Sequence, residues 1–446
     1  MEQESLSRRA GRIAVPVTLQ ALLQSSFSVA DQLMTGRLGS ASIAGIGLGG
    51  RFFSLFTVLV SAVAAAAGIM LAQYLGRGDL PGVSRSLRLS GAAAGVAAAA
   101  FLLLCRVWPE PVMGLYTPDA AVRSAAVEYV RIMAWSCPPA AVQMLVSTLL
   151  RCREAAVLPL CASLTAAGVN TGLNYVLIFG RLGFPALGLA GAAWATVCAQ
   201  WLGCALALAL LARHSRRHPL ALPRALPPDP GFGRRYGAVL LPMLVCEVLW
   251  CLGENVYGGV YGHIGAGACA AMTLTAPVQG LLTGAMSGLS QAAGILTGQT
   301  LGKAQYGRAY GQSKRLMGWG WAGGAALSAL LVLGAGWYVS LYRVEPEVRR
   351  TAWTLLLLFA LFLPVKVQNM VLGGGILRSG GRTAYVMVID LAGTWLVGVP
   401  AALAAAFWWK LSIPWVYAVL SLEEGVRLGM SLWVFRRRRW MVQLSS

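Results

Sequence analysis

Residues 68–79 read GIMLAQYLGRGD, and residues 294–305, which begin 226 positions later, read GILTGQTLGKAQ. The two segments are identical at five matching positions, which include Gln73 with Gln299, Leu75 with Leu301, and Gly76 with Gly302. The same offset relates Pro16 to Pro242, and an offset one residue longer relates Arg151 to Arg378. An offset that holds over so much of the chain indicates an internal repeat.

The composition is that of a membrane protein. Of the 446 residues, 57% are hydrophobic and only 12% are charged, and the mean hydropathy is +0.66. A helix needs roughly 20 apolar residues to cross a bilayer. The sequence predicts twelve such spans, at about 14–36, 45–73, 89–107, 125–150, 156–180, 189–212, 239–262, 268–298, 316–341, 352–377, 384–408 and 414–434.

The repeat divides these spans into two sets of six. We expect an amino-terminal lobe over 1–212, a cytoplasmic linker over 213–238, and a carboxy-terminal lobe over 239–446. Residues 213–235 contain five prolines and six arginines, which is typical of a linker. Because six is an even number, both halves insert in the same orientation. The predicted fold is therefore an all-α integral membrane protein with two six-helix bundles, related by a pseudo-two-fold axis along the membrane normal.

The basic residues indicate orientation rather than nucleic-acid binding. The net charge is +20, but 24 of the 36 Lys and Arg fall on the termini, the linker and the loops of one side. This asymmetry follows the positive-inside rule. We therefore expect both termini to be cytoplasmic, in a multi-pass protein of the plasma (inner) membrane. The bilayer is the expected partner of this chain, with no nucleic acid.

Polar side chains at membrane depth need a partner or a task, because burying a charge in hydrocarbon is costly. In the first half, Asp31 has no basic residue nearby on its own span. Asn170 and Asn174 share a helical face of the fifth span, and Thr196 lies in the sixth. A carboxylate with amide and hydroxyl oxygens is chemically suited to a proton or a sodium ion. A purely structural role in hydrogen bonding between helices remains the alternative for the asparagines.

Other polar and aromatic residues predict a substrate cavity. Gln20 and Gln24 lie on the same helical stripe as Asp31, and two glutamates seven residues apart share a face of the seventh span. The predicted cavity residues are Gln20, Gln24, Glu247, Trp250, Glu254, Lys366 and Asp390.

Charged residues of the later spans are candidates for ion pairs. Lys366 could pair with a carboxylate across the bundle, although the sequence does not identify which one. In the last span, Glu423 and Arg427 are spaced for an i,i+4 ion pair. The sequence predicts no role for Glu424.

Several segments together resemble the multidrug and toxic compound extrusion (MATE) transporters. They read VPVTLQALLQSSFSVADQLMTGRLGSASIAG at 15–45, GIMLAQYLGRGD at 68–79, VNTGLNYVLIFGRLGFPALGLAGAAWATV at 169–197, and GGGILRSGGRTAYVMVIDLAGTWLVGVP at 373–400. Each segment alone is a weak signal. The resemblance is specific because the segments occur in order along nearly the whole chain.

The resemblance implies a cation-coupled antiporter, driven by H⁺ or Na⁺, that exports organic cations or other amphipathic compounds by alternating access. Asp31 matches the family's first-span aspartate, Asn170 and Asn174 match fifth-span positions, and Thr196 matches a sixth-span threonine. These residues would bind the coupling ion, with Na⁺ held by Asp31, Asn170 and Asn174. No cofactor is implied, and we expect a monomer.

Two positions depart from the family pattern. Many members have an aspartate where this chain has Asn174, which removes one negative charge from the first-half site. In one branch, a tenth-span aspartate falls at Val367 here, beside Lys366. This departure argues against a second sodium site of that kind, and it favours Asp31 as the coupling group.

Alternative functions make different demands on the sequence. A flippase for lipid-linked saccharides or other lipids would place basic residues in its cavity. The charged set within the spans instead has more acids (Asp31, Glu247, Glu254 and Asp390) than bases (Lys366). An enzyme is not expected, because the only three histidines are two in the linker and one at a loop edge, with no nucleophile or metal cluster near them. A membrane receptor would not explain polar residues in both halves.

Overall fold

The computed structural model describes residues 5–220, 223, 226, 229–342 and 344–444, and the described part of the chain is helical and contains no strand. Its α-helices are α1 (Leu6–Thr35), α2 (Ser40–Arg77), α3 (Leu80–Val107), α4 (Pro109–Gly114), α5 (Ala120–Met133), α6 (Cys137–Cys152), α7 (Val157–Phe179), α8 (Gly188–Arg217), α9 (Phe232–Ile264), α10 (Ala266–Gly302), α11 (Tyr306–Ser340), α12 (Pro346–Asn369), α13 (Thr383–Leu391), α14 (Val399–Leu403) and α15 (Ile413–Arg436).

The membrane character of the fold is confirmed. Eight helices of the described chain are long and apolar enough to cross a bilayer, by length and composition. One of them runs without interruption from Ala120 to Cys152, because a 3₁₀ turn at Ala134–Ser136 joins α5 to α6. The all-α fold class is therefore established for the described residues, whereas the number of twelve spans stays a prediction.

The last third of the chain contains three π-helical segments, which the sequence reading did not predict. They are Met370–Leu377, Ala392–Gly398 and Ala404–Trp408. The first contains the run Gly373 to Gly375, and there the hydroxyl of Ser290 in α10 donates to the carbonyl of Met370 at 2.5 Å. Wider helical turns frequently occur at functional sites, because they turn side chains away from the regular α-helical direction. Here they lie on the helices that carry Lys366 and Asp390.

By backbone contacts the chain forms two compact units. The first contains Met1–Thr18, Ala72–Gly78 and Arg234–Ser446, and the second contains Leu19–Leu71 and Asp79–Gly233. Helices α1 and α2 therefore each contribute to both units. The predicted lobes, 1–212 and 239–446, stay a prediction. The predicted linker, 213–238, likewise stays a prediction; α8 ends at Arg217 and α9 begins at Phe232.

Within the first unit, the two copies of the repeated segment pack against each other. A Cβ added to Gly76 would overlap the carbonyl of Gln299, and a Cβ added to Gly302 would overlap the carbonyl of Gln73. The same two positions of the repeat thus meet reciprocally. Only glycine permits such close approach of helix backbones, which explains why both copies keep it.

The amide of Gln73 also binds the carboxy-terminal segment. Its nitrogen donates to the carbonyls of Ser379 at 2.7 Å and Val442 at 3.1 Å, and its oxygen accepts from the backbone N–H of Leu444 at 2.9 Å. Trp440 beside it is fully buried. The buried amide is therefore satisfied by residues that are distant in sequence, which ties the end of α2 to the end of the chain.

We predict that Gly76→Ala and Gly302→Ala destabilise the protein, whereas Gly47→Ala in α2 does not. Alanine usually stabilises a helix relative to glycine, but at 76 and 302 the methyl group would clash with backbone, at a cost of roughly 1–3 kcal/mol or more. Gly47 has no heavy atom within 4 Å of an added Cβ and is the matched control. The thermal unfolding midpoint of the purified protein in detergent measures the effect. Equal midpoints for Gly76→Ala and Gly47→Ala would show that the close contact is absent.

Candidate functional site

In the second unit, the predicted ion-coupling residues form one hydrogen-bonded group. The side-chain nitrogen of Asn174 donates to a carboxylate oxygen of Asp31 and to the amide oxygen of Asn170, the latter at 3.2 Å. The nitrogen of Asn170 in turn donates to the hydroxyl of Thr196 at 3.2 Å. Helices α1, α7 and α8 each supply part of this group. The spacing of the asparagines on one face of α7 places both of them toward the carboxylate.

The chemistry of this group fits a small cation. Asn174 is fully buried, and its amide oxygen has no hydrogen-bond donor among the described residues. Such an oxygen beside a carboxylate is a suitable ligand for Na⁺, and the carboxylate can alternatively bind H⁺. No group of three or more His, Cys, Asp and Glu side chains able to hold a metal occurs in the described chain. A single carboxylate with neutral oxygens suits a monovalent ion.

The two glutamines of the first span do not join this hydrogen-bonded group. Gln20 accepts a hydrogen bond from the guanidinium of Arg151 at 3.0 Å. Gln24 is exposed. The side chains of Gln20, Gln24 and Asp31 therefore lie in three different environments, although they share one helical stripe. Helical periodicity alone does not predict this difference.

In the first unit, five of the predicted cavity residues line one cavity of about 500 Å³. These five are Glu247, Trp250, Glu254, Lys366 and Asp390. The charged residues that complete the lining are Arg378, Glu423, Glu424 and Arg427. The cavity lining comes from α9, α10, α12, α13, α15, the first π-helical segment and Arg378 directly after it, so distant parts of the sequence converge on this space.

The predicted ion pair of Lys366 is present, and its partner is Glu424. The Lys366 Nζ lies 3.8 Å from Glu424 Oε1. Asn369, one turn after Lys366, donates to Glu424 Oε2 at 2.7 Å and to the Glu424 carbonyl at 2.8 Å. Glu424, which the sequence analysis left without a role, is thus held by two residues of α12.

A second set of ion pairs links three helical elements. Arg378 lies 3.6 Å from Glu247 and 3.7 Å from Asp390, and Arg427 lies 3.1 Å from the other oxygen of Asp390. The expected i,i+4 pairing of Arg427 with Glu423 is wrong as to the partner. Glu423 instead accepts a hydrogen bond of 2.7 Å from the hydroxyl of Tyr257.

The cavity lining has an excess of acidic groups. It contains five carboxylates and three basic side chains, so its formal charge is −2. The three bases are all within 4 Å of Glu247, Asp390 or Glu424. Glu254 and Glu423 are left without a basic group at that distance among the described residues. The arrangement can therefore receive about two units of positive charge from cargo or protons.

Trp250 and Glu254 combine an aromatic ring and a carboxylate on one side of the cavity. They are one turn apart on α9 and both line the cavity, and Trp250 is 51% exposed. An indole face attracts a cation, particularly a flat aromatic one, and a carboxylate one turn away supplies the opposite charge.

Sequence reasoning missed Arg378, Glu423, Glu424 and Arg427 as members of this site. Arg378 falls between the predicted spans 352–377 and 384–408, where the positive-inside rule predicts a cytoplasmic loop. π-helical segments lie before and after it, and no periodic pattern in the sequence predicts them. A usable signal was present in α15, where Glu423 and Glu424 put two adjacent acids within an apolar span.

Comparison with known proteins agrees with this fold. A probable multidrug resistance protein NorM of Rhizobium meliloti (strain 1021) is 28% identical over 440 residues, which cover 94% of this chain and 89% of that protein. A crystal structure of MATE in complex with MaL6 has a TM-score of 0.88 at 16% identity, and covers 98% of this chain and 97% of its own. A mutant of the Vibrio cholerae MATE transporter VcmN has the same TM-score and identity, over 97% and 96%. These structures share the fold.

The family assignment rests on the sequence itself. The family model MatE matches residues 16–176 and again residues 242–403. The two matches start 226 positions apart, which confirms the internal repeat. Because they cover more than half of the chain, the protein belongs to the MatE family of membrane transporters, the multidrug and toxic compound extrusion family that its sequence resembles.

Proposed function

We propose that this protein is a cation-coupled antiporter that exports organic cations or other amphipathic compounds by alternating access. The observation that carries the proposal is the cavity charge: five carboxylates against three bases, with Trp250 and Glu254 on one helix face. The resistance protein of Rhizobium meliloti named above supports export of drug-like compounds. The cargo would bind in this cavity as a monovalent or divalent cation.

The remaining parts of the proposal concern topology. We propose twelve spans in two six-helix lobes, with both termini on the cytoplasmic side of the inner membrane and a monomer as the working unit. The distribution of basic residues supports this orientation. In this arrangement the loops rich in Lys and Arg contact the anionic lipid surface of the cytoplasmic leaflet.

The coupling step is assigned to Asp31. Binding of H⁺ or Na⁺ at Asp31 changes the relative stability of the outward-open and inward-open states, provided that the two states bind the ion with different affinity. Asn174 and Asn170 orient the carboxylate from α7. When Na⁺ is the coupling ion, the unpartnered amide oxygen of Asn174 would complete its oxygen ligands.

The rival function is a flippase for lipid-linked saccharides or other lipids. Its headgroups are anionic, and they would meet a cavity in which each base is already paired with an acid. The formal charge of −2 disfavours such a ligand. Transbilayer movement of fluorescent lipids in proteoliposomes tests this rival directly.

We predict that Asp31→Asn abolishes gradient-driven uptake of ethidium, a flat aromatic cation, into proteoliposomes. The neutral amide cannot bind H⁺ and is a much weaker Na⁺ ligand. An imposed H⁺ gradient and an imposed Na⁺ gradient are applied separately to wild type, so that the active one names the ion. Glu128→Gln, which removes one exposed acid outside both sites, is the control. Normal uptake by folded Asp31→Asn would remove Asp31 from the mechanism.

We predict that Trp250→Ala and Glu254→Gln each weaken ethidium binding by about 3- to 30-fold, because they remove a cation–π contact or its countercharge. Binding is measured by ethidium fluorescence with purified protein. Glu347→Gln, an exposed acid at the start of α12, is the charge-matched control and should bind like wild type. Unchanged affinity in both cavity variants would place the cargo elsewhere.

A further inference from the structure

A second buried carboxylate lies outside the predicted coupling site. Glu423 in α15 is only 8% exposed, and its Oε2 accepts a hydrogen bond of 2.7 Å from Tyr257 in α9. A Cβ added to Gly398, at the end of the second π-helical segment, would overlap both Glu423 Oε2 and the Tyr257 hydroxyl. Three helical elements thus close around one carboxylate oxygen.

The other oxygen, Glu423 Oε1, has no hydrogen-bond partner among the described residues, and the side chain lines the cavity. Cavity water or cargo can therefore approach the carboxylate from that side. The tyrosine hydroxyl can donate to Oε2 of the carboxylate, and equally to the carbonyl oxygen Oε2 of a carboxyl group that carries its proton on Oε1. The site therefore tolerates both protonation states without rearrangement of a helix.

None of the basic groups that face Glu423 in the described part of the chain lies within 4 Å of its carboxylate. From α9 there are Tyr257 and Glu254, and from the neighbouring elements there are Lys366, Asp390, Glu424 and Arg427. Lys366 is held by Glu424, and Arg427 by Asp390. A buried charge without a partner of its own is costly, so a carboxylate in this position is neutralised by a proton or by an arriving cation.

The internal repeat relates this carboxylate to the first-half site. The offset of 226 takes Asp31 to Tyr257, and the offset of 227, which relates Arg151 to Arg378, takes Thr196 to Glu423. In the first half the acid, Asp31, is on α1 and the hydroxyl, that of Thr196, is on α8. In the second half the hydroxyl of Tyr257 is on α9 and the acid, Glu423, is on α15. The same two repeat positions therefore hold one acid and one hydroxyl in each half, with the roles exchanged.

We propose that Glu423 is a second proton-binding carboxylate, which releases its proton when cationic cargo occupies the cavity beside Trp250 and Glu254. The proposal rests on the proposed function. Before cargo binds, Glu423 carries a proton on Oε1. As the cation arrives, the proton leaves to cavity water, and the ionised carboxylate adds its charge to that of Glu254. One positive charge enters and one leaves, so the net charge of the cavity is unchanged.

This exchange can be measured directly as proton release. Purified full-length protein in weak buffer is mixed with ethidium, and a pH-indicating dye reports the protons released per ethidium bound. The Asp31→Asn background removes any contribution of the first-half site. There we expect about one proton per ethidium, because Glu423 holds one proton, and a loss of most of that release on adding Glu423→Gln. Adding Glu128→Gln instead should leave the release unchanged.

Tyr257→Phe provides a second variant if Glu423→Gln does not fold. Phenylalanine fills the same space but removes the hydroxyl that contacts Glu423. We expect the pH midpoint of ethidium binding to move by roughly half to one pH unit, which is the effect of one hydrogen bond. A merely structural role of Glu423 would leave both proton release and this midpoint unmoved.

The outcomes separate the two proposals. Ethidium binding with no proton release in the Asp31→Asn background, or the same release after Glu423→Gln, overturns the role of Glu423 and leaves the antiporter intact. Absence of ethidium binding and of uptake under either gradient by wild type overturns the proposed function itself, and with it the exchange at Glu423.

Discussion

A charge inside a membrane protein must be matched locally, because water cannot stabilise it there. This constraint explains the arrangement of the second half better than any single motif does. Arg378 and Arg427 share Asp390, Arg378 also contacts Glu247, and Lys366 is matched by Glu424. Each base has an acid, and the helices that carry them are drawn to one cavity. The two cavity acids without a basic partner among the described residues, Glu254 and Glu423, are then available to bind protons or cationic cargo.

Helix geometry sets which charges can meet. The π-helical segments before Arg378 and after Asp390 lie where α12 and α13 carry their ionic groups. A regular α-helix repeats every 3.6 residues, and a wider turn shifts every following side chain around the axis. Gly398 adds a second requirement, since any side chain there would displace Glu423 from Tyr257. The π-helical turns and Gly398 therefore serve both the close packing of the helices and the placement of their charged side chains.

Much of the fold could be predicted from the sequence. A span depends on about 20 consecutive residues, and an internal repeat appears as matching residues at one constant offset. Helical spacing also predicted that Asn170 and Asn174 share one face of their helix. Their hydrogen bonds to Thr196 and Asp31 join different helices, which spacing along one helix does not predict. Partner choice could not be predicted, as Lys366 shows. Several carboxylates were within reach in sequence terms, and only tertiary packing distinguishes Glu424 from the others.

The internal repeat relates positions of the two carboxylate sites to each other, which the composition alone does not do. The two halves make packing contacts at equivalent positions, as the reciprocal contacts of Gly76 and Gly302 show. Their acids stand at different positions of the repeat, since Asp31 is equivalent to Tyr257 and Thr196 to Glu423. In the second half, Tyr257 is the hydrogen-bond donor to Glu423, whose side chain lines the cavity. An acid placed in this way is held by a neutral group, so it can exchange its proton for cargo without first breaking an ion pair.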